Sequence, residues 1–399
     1  MSLDFDLDGA PFGPPGPPEP GVWTFWADTA VPPHTQLGPL VVTGFSPTWR
    51  LSGFGAAEVT IPVAESPALS REQILSLWSW RLWASYDGRV VWAGLPTGVD
   101  DPGAASVALS FTELPGYLTK RVLDPAVRYT QIEQTEIARQ LALPVADVGV
   151  QIITDPGPGF ARDRSYELLE GAQDGRAELL TNLSQVISGP EFRAEYDLET
   201  GYPRCSLAIR YPRVGGDTGL GLVVPGGAVD FSARWDSDQL RTRTYAVGDV
   251  PEDAPEDTPK PVAVVDAPQA GLPRLDVVDD WPSVILQSTL EERAATNAQI
   301  YARPVLTLTA AVAVHDPPLW SYRVGDDVAV GLADPLMPGG LELTGVLTEV
   351  SASAADGTVS WTVAVTLPPP SPADTLASRL ADLTRISTGT FRRRLVKLP

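Results

Sequence analysis

Short apolar runs with two-residue alternation recur along most of this chain, and helical spacing interrupts them in five places. Strand-like runs begin near Val22, with short β-branched stretches at Leu40–Thr43 and Glu58–Val63. Ser70 and Gln73 form a capping box ahead of Ile74, Leu75 and Trp78, which predicts a brief helix. Trp80–Tyr86 and Arg89–Ala93 flank Asp87-Gly88, a pair that predicts a two-residue hairpin turn. Ser106–Phe111 alternates and completes a compact β unit over 21–118.

The pattern then turns mixed. Thr130 and Glu133 predict a helix cap, with Ile137 and Leu141 on one face up to about Leu143. Asp174 opens a second helix in which Leu179, Leu183, Val186 and Ile187 recur at helical spacing. Strands are expected at Glu191–Asp197 and Arg204–Tyr211, joined by a turn at Glu199–Gly201. Leu220 to Gly248 reads as β structure again. An acidic, proline-rich stretch follows, and residues 249–292 hold 11 Asp/Glu against 2 Lys/Arg. Ser288 and Glu291 predict a cap for a helix with a Leu290, Ala294, Ala298, Tyr301 stripe. Strands are then expected at Val305–Val314, Asp327–Leu332, Glu342–Ser353 and Thr358–Leu367. Three of these are ten residues or longer, a length that suits a barrel or tube wall.

Both ends differ from the body. Residues 1–20 form a Pro/Gly-rich acidic arm without periodicity. After a proline-rich stop at 368–372, Ser371 and Asp374 open a last helix with Leu376, Leu380 and Leu383. Residues 371–399 carry 6 Lys/Arg and 2 Asp/Glu. Arg392, Arg393, Arg394 and Lys397 in this tail are the candidate partner-docking residues, because a basic arm on an acidic protein suits an acidic neighbour. A plain exposed terminus is the other reading.

Length and composition sharpen this picture. At 399 residues the chain suggests two to four domains. The 40 Pro and 35 Gly favour turns and β structure over long helices. Trp is usually the scarcest aromatic, yet there are 11 Trp beside 10 Phe and 10 Tyr, as core residues or interface anchors. The formal net charge of −21 repels phosphates and argues against stable nucleic-acid binding. It suits an acidic conduit through which DNA slides, or simply solubility. The N-terminus shows no signal sequence and no apolar run approaches membrane-span length, so synthesis in the host cytoplasm and no stable membrane insertion are expected.

Chemistry is sparse. One cysteine, Cys205, excludes an intrachain disulfide and reads as a buried structural thiol. With only His34 and His315, a closed zinc site of the usual kind cannot be assembled. The chain has no HExxH, no phosphate-binding glycine loop and no GxSxG elbow. Asp249, Glu252, Asp253, Glu256 and Asp257 do not match a calcium-loop spacing. Asp326-Asp327 after Tyr322–Gly325 reads as a turn before a strand. No catalytic residue, cofactor or metal ligand is assigned, and the Gly- and Trp-rich block Leu51–Gly94 reads as a shaped surface.

Several stretches, taken in order, resemble minor tail proteins of long-tailed actinobacteriophages, also called tail hub, baseplate hub or tail-associated proteins. They are Leu51–Val63, Leu77–Gly94, Glu113–Leu123, Ala161–Asp197, Leu207–Gly215, Arg243–Val250 and Tyr322–Val330. The resemblance implies a β-rich α+β chain with two tube-type β-barrel domains. It maps the first hub barrel to 21–118 and the second to 219–250 plus 303–370. An outer α+β domain would take 119–218 and 251–302. It further implies a homotrimeric ring at the tail tip of a virion, adapting a sixfold tube to a threefold tip around phage DNA in transit. The implied partners are the distal tail protein, the tape measure protein and other tail-tip or fibre proteins. Longer relatives carry hydrolase or fibre domains beyond the last barrel, and this sequence ends soon after it. A tail-tip enzyme acting on cell wall or polysaccharide, and a host receptor-binding subunit, are the alternatives.

Overall fold

The computed structural model describes residues 22–100, 103–122, 128–129, 132–155, 166–167, 175–184, 189–199, 201–224, 228–238, 240–250, 255, 257–281, 287–302, 305–312, 321–332, 341–355 and 358–366. The acidic arm 1–20, Thr130, Asp174, Val186, Ile187, His315 and the whole of 371–399 lie outside these residues. Two compact units emerge, and the first draws on Met1–Val214, Ala313–Gly325 and Glu349–Trp361.

Unit 1 begins with seven strands: β1 (Trp23–Thr29), β2 (Gln36–Leu40), β3 (Gly44–Arg50), β4 (Ala56–Pro62), β5 (Trp80–Tyr86), β6 (Arg89–Asp100) and β7 (Ser106–Glu113). They pair antiparallel in the order β3-β4-β7-β6-β5-β1-β2, and residues 349–355 of the strand Leu341–Ala355 add to β3. The short helix α1 (Arg71–Leu75) sits between β4 and β5 with a complete Ser70/Gln73 capping box. Asp87 and Gly88 both have positive φ, 50° and 74°, as a type I′ turn demands. They close the β5–β6 hairpin at the pair Tyr86/Arg89.

A second layer lies against this sheet. It holds helices α2 (Gln134–Ala142) and α3 (Arg176–Ser184) and strands β9 (Val150–Thr154), β11 (Glu191–Glu199) and β12 (Tyr202–Arg210). β12 runs antiparallel to β11 and parallel to β9. Two-residue strands β8 (Arg128–Tyr129) and β10 (Tyr166–Glu167) pair with each other.

Strand β5 explains how the layers join. All seven of its residues are buried. Side chains alternate across a strand, so Trp80, Leu82 and Ala84 enter one core with Phe25, Phe45, Trp92 and Phe111. Trp83 enters a second core with Leu95, Leu118, Ile137, Leu180, Phe192 and Cys205. Aromatic edges lock the first core, with Trp80 and Phe111 centroids 5.4 Å apart and Phe45 and Trp92 5.7 Å apart. Trp80, Trp83 and Trp92 are all but fully buried, at 1% exposure or less.

Gly94 on β6 sits where this packing is tightest. A Cβ there would lie within 3.0 Å of both the Trp92 ring and the Thr112 carbonyl oxygen. Backbone cannot yield as a flexible side chain can, so Gly94→Ala is expected to cost about 1–3 kcal/mol through overpacking. Chemical denaturation should show an earlier midpoint with an unchanged slope.

Unit 2 draws on Gly215–Val312, Asp326–Thr348 and Thr362–Pro399. β13 (Asp217–Val224) runs parallel to β19 (Asp327–Leu332), which pairs antiparallel with residues 341–346 of β20 (Leu341–Ala355). β14 (Ala228–Asp236) pairs antiparallel with β18 (Val305–Val312), and β21 (Thr358–Thr366) follows β18 in the sheet order. A separate sheet places β15 (Arg243–Val247) between antiparallel β16 (Val262–Asp266) and parallel β17 (Asp276–Asp280). Helix α4 (Gln287–Ile300) covers one face of it, packing Leu290 and Ala294 on Ala246 and Ala263.

Most predicted elements stand where the pattern puts them, with four departures. Helix α1 ends at Leu75, so Trp78, at φ 64°, lies beyond it. Leu40–Thr43 is not a strand. Leu40 ends β2, and 41–43 carry the chain from the edge of β1 to the edge of β4. Glu133 is the N-cap of α2 itself, without a side-chain cap bond. Helix α4 starts at Gln287, so Ser288 is inside the helix. The Gln287 amide reaches Glu291 Oε1 at 3.2 Å, in place of a Ser288–Glu291 cap. Cys205 is fully buried, as expected.

Candidate functional site

A cleft of about 460 Å³ opens in unit 1. The β5–β6 hairpin tip (Gly88–Val91) and Trp49 form one wall, β11 (Arg193–Leu198) the other, and Tyr322–Val324 with Val350 close it. Trp49 is fixed by its indole N–H, which donates to the Val91 carbonyl at 2.8 Å. Arg193 is held from both sides. Its guanidinium donates to the Val324 carbonyl at 2.8 Å and pairs with Glu195 at 2.9 Å.

Beneath the cleft lies a carboxylate that the sequence reading did not single out. Glu113 ends β7, and its parity continues the inward series Val107, Leu109, Phe111. It is 2% exposed. Tyr196 lines the cleft with its ring and donates its hydroxyl to Glu113 Oε1 at 2.6 Å. Gly55 N–H donates to Oε2 at 2.9 Å. Burial pushes the Glu113 carboxyl up to about 7, against the lowering effect of these two bonds. Burial and the Glu113 charge push Tyr196 well above the ordinary phenol range. Burial, then Glu113, does the same to the Cys205 thiol, so the thiolate needed for nucleophilic chemistry is suppressed.

A raised carboxyl near a cleft is a recognised sign of acid–base chemistry. Here both oxygens are engaged by Tyr196 and Gly55, and the group joins β7 to β11 and to the residue just before β4. Its geometry is that of a clamp.

A second buried cluster ties β1 and β5 to the 3-10 turn Leu143–Val148. Arg81 Nε donates to Asp28 Oδ1 at 2.7 Å, Nη2 donates to Oδ2, and Nη1 donates to the Val148 carbonyl at 2.9 Å. Trp83 Nε1 donates to Asp28 Oδ1 at 3.1 Å, and its ring lies 5.2 Å from the guanidinium. His34, one of the two histidines, hydrogen-bonds the Thr29 carbonyl through Nδ1 at 3.1 Å. Burial, then the Arg81 charge, lowers its pKa. Gly149 takes a left-handed φ of 77°, and a Cβ there would strike both Arg81 and His34.

Several sequence candidates resolve into local structure. Asp249 pairs with Lys260 at 3.2 Å and accepts from Val250 N–H at 3.0 Å, which lowers its pKa. Gly325 adopts φ 93° just before β19 starts at Asp327, the expected turn. Among the described residues no cluster of three or more His, Cys, Asp or Glu could hold a metal ion. No described helix is long and apolar enough to cross a membrane. Arg392, Arg393, Arg394 and Lys397 lie outside the described residues.

No protein-family model and no curated protein sequence matches the chain. Solved structures do. The 43 kDa tail protein of prophage MuSo2 from Shewanella oneidensis superimposes with a TM-score of 0.57 at 14% identity, covering 86% of this chain and 98% of that one. The tail protein from Neisseria meningitidis MC58 gives 0.57 at 14% identity, with 88% and 98% covered. The Escherichia coli c3393 protein gives 0.50 at 12% identity, covering 83% and 74%. That protein is a type VI secretion component with structural similarity to the T4 tail proteins gp27 and gp5. The β-rich fold of this chain is thus a fold of phage tail and type VI secretion proteins.

Proposed function

We infer that the chain is a structural, non-enzymatic tail protein, with copies forming a homotrimeric ring at the distal end of a phage tail tube. The observation that carries this reading is the extent of the likeness. It takes in 86–88% of this chain and 98% of the two tail proteins, so whole architectures correspond. Each subunit would present two barrel-type modules, one from 21–118 and one from 219–250 with 303–370, matching a sixfold tube to a threefold tip. Ring closure uses heterologous contacts, in which one surface of a copy meets a different surface of the next. The net charge of −21 suits a channel that DNA traverses without sticking. The distal tail protein, the tape measure protein and fibre proteins are the expected neighbours, and the virion tail tip the expected location.

Light-scattering mass measurement of the purified chain, paired with imaging of tails that carry it, tests the reading. Three copies around the tube axis are expected at the tip. A particle that lacks the chain altogether, or holds it only along the shaft, contradicts the proposal.

A further inference from the structure

The β15–β16–β17 sheet has two unlike faces. The inner one, with Ala246 and Ala263, is covered by α4. At its edge Asp279 accepts from Arg241 at 2.6 Å and Asn297 at 2.7 Å. The outer face consists of three cross-strand rows: Val262–Val247–Asp280, Val264–Tyr245–Val278 and Asp266–Arg243–Asp276. Val278 is 64% exposed, Val262 44% and Val264 43%. An antiparallel or mixed sheet facing water on one side normally alternates to polar residues there. This one instead shows an apolar stripe with carboxylates at both ends. Arg243 offsets Asp266 at 3.2 Å and Arg274 offsets Asp276 at 2.8 Å. The surrounding residues 249–292 still hold 11 Asp/Glu against 2 Lys/Arg.

The same chain contains a segment of complementary pattern. Phe391, Leu395 and Leu398 recur at i, i+4 and i+7, with Arg392, Arg393, Arg394 and Lys397 between them. Leu376, Leu380 and Leu383 repeat the spacing upstream. From Thr366 in unit 2, 33 residues remain to Pro399. At roughly 3.3 Å per extended residue their contour is about 110 Å. A compact body the size of unit 2 has a radius of gyration of about 15 Å, so reach imposes no limit.

We propose that the outer face of this sheet is the docking surface for the chain's own C-terminal segment, residues 371–399. The apolar stripe of the segment covers Val262, Val264, Tyr245 and Val278. Its arginines and Lys397 meet Asp266, Asp276 and Asp280. The attraction is between solvent-facing charges and therefore weakens with salt.

Cysteine trapping in the full-length chain tests this. Val278→Cys with Leu395→Cys, under mild oxidation, should give an intrachain disulfide at least ten-fold above a Val31→Cys with Leu395→Cys control. Val31 is equally exposed, at 64%, but belongs to unit 1. The yield should drop several-fold in 0.5 M salt (roughly a 4 Å screening length) and in the R392E/R393E/R394E variant. Yields equal to the control overturn the proposal. Disulfides that join only two different chains overturn it in favour of a second copy as occupant. Val264→Cys with Phe391→Cys gives an independent pair should the first variant fold poorly.

Discussion

Asp28→Ala is expected to lower the melting temperature of unit 1 by about 10 °C. Asp28 is 9% exposed and Arg81 only 4%. Without Asp28 the guanidinium keeps the Val148 carbonyl and the Trp83 ring but no counter-charge. Removing one partner of a buried pair costs about 3–5 kcal/mol, because the remaining charge is stranded away from water. At about 2–4 °C per kcal/mol for a body of 150–250 residues, a fall of about 10 °C follows. Adding Arg81→Met should recover part of the loss by removing the stranded charge, and the double-mutant cycle gives the coupling. Calorimetry that finds Asp28→Ala within about 2 °C of the parent would show that the pair does not hold these layers together.

The second large effect is a pH dependence seated at Glu113. Its folded carboxyl sits at about 7, against about 4.3 in an unfolded chain. The folded state therefore binds the proton more tightly. The associated stability is fully present below about 4.3 and is lost as pH rises through 7. At about 1.4 kcal/mol per pH unit, the change between pH 5 and pH 8 amounts to about 2.5 kcal/mol. Other carboxylates titrate as well, so the informative quantity is the parent's stability relative to Glu113→Gln. Glutamine keeps the shape and an acceptor oxygen but does not ionise. The parent should lose about 2.5 kcal/mol relative to this variant between pH 5 and pH 8. A difference that stays constant with pH would mean that Glu113 does not titrate in this range.

Features that depend on neighbouring residues were legible in the sequence. The Ser70/Gln73 box, the Asp87-Gly88 turn and strands Trp80–Tyr86 and Asp327–Leu332 are set within a few positions of the chain. Strand β3 was missed because Pro47 lies within it, and proline lacks a ladder donor. The structure accommodates it. The ladder to Leu341–Ala355 runs from Arg50/Glu349 to Thr48/Ser351 and resumes at Phe45/Ala354, passing over Pro47. Glu113 could have been found, because continuing the alternation of Val107, Leu109 and Phe111 by one step puts a carboxylate on the apolar face. Arg81 could not. Every residue of β5 is buried, so alternation carries no information there, and its partner Asp28 is 53 positions away. The outer face of the β15–β16–β17 sheet was equally hidden, since a row such as Val264–Tyr245–Val278 exists only once register is known.

The placement of β5 between two cores limits how this molecule can be dissected. Cutting after residue 118 to isolate the seven-strand layer would strip the cover from Trp83, Leu95, Leu114 and Leu118. Such a fragment should clump or bind hydrophobic dyes where the intact chain does neither. Anyone trimming this protein for crystallisation, or grafting its first strands onto another protein, would have to carry α2, α3, β9, β11 and β12 along as one inseparable block.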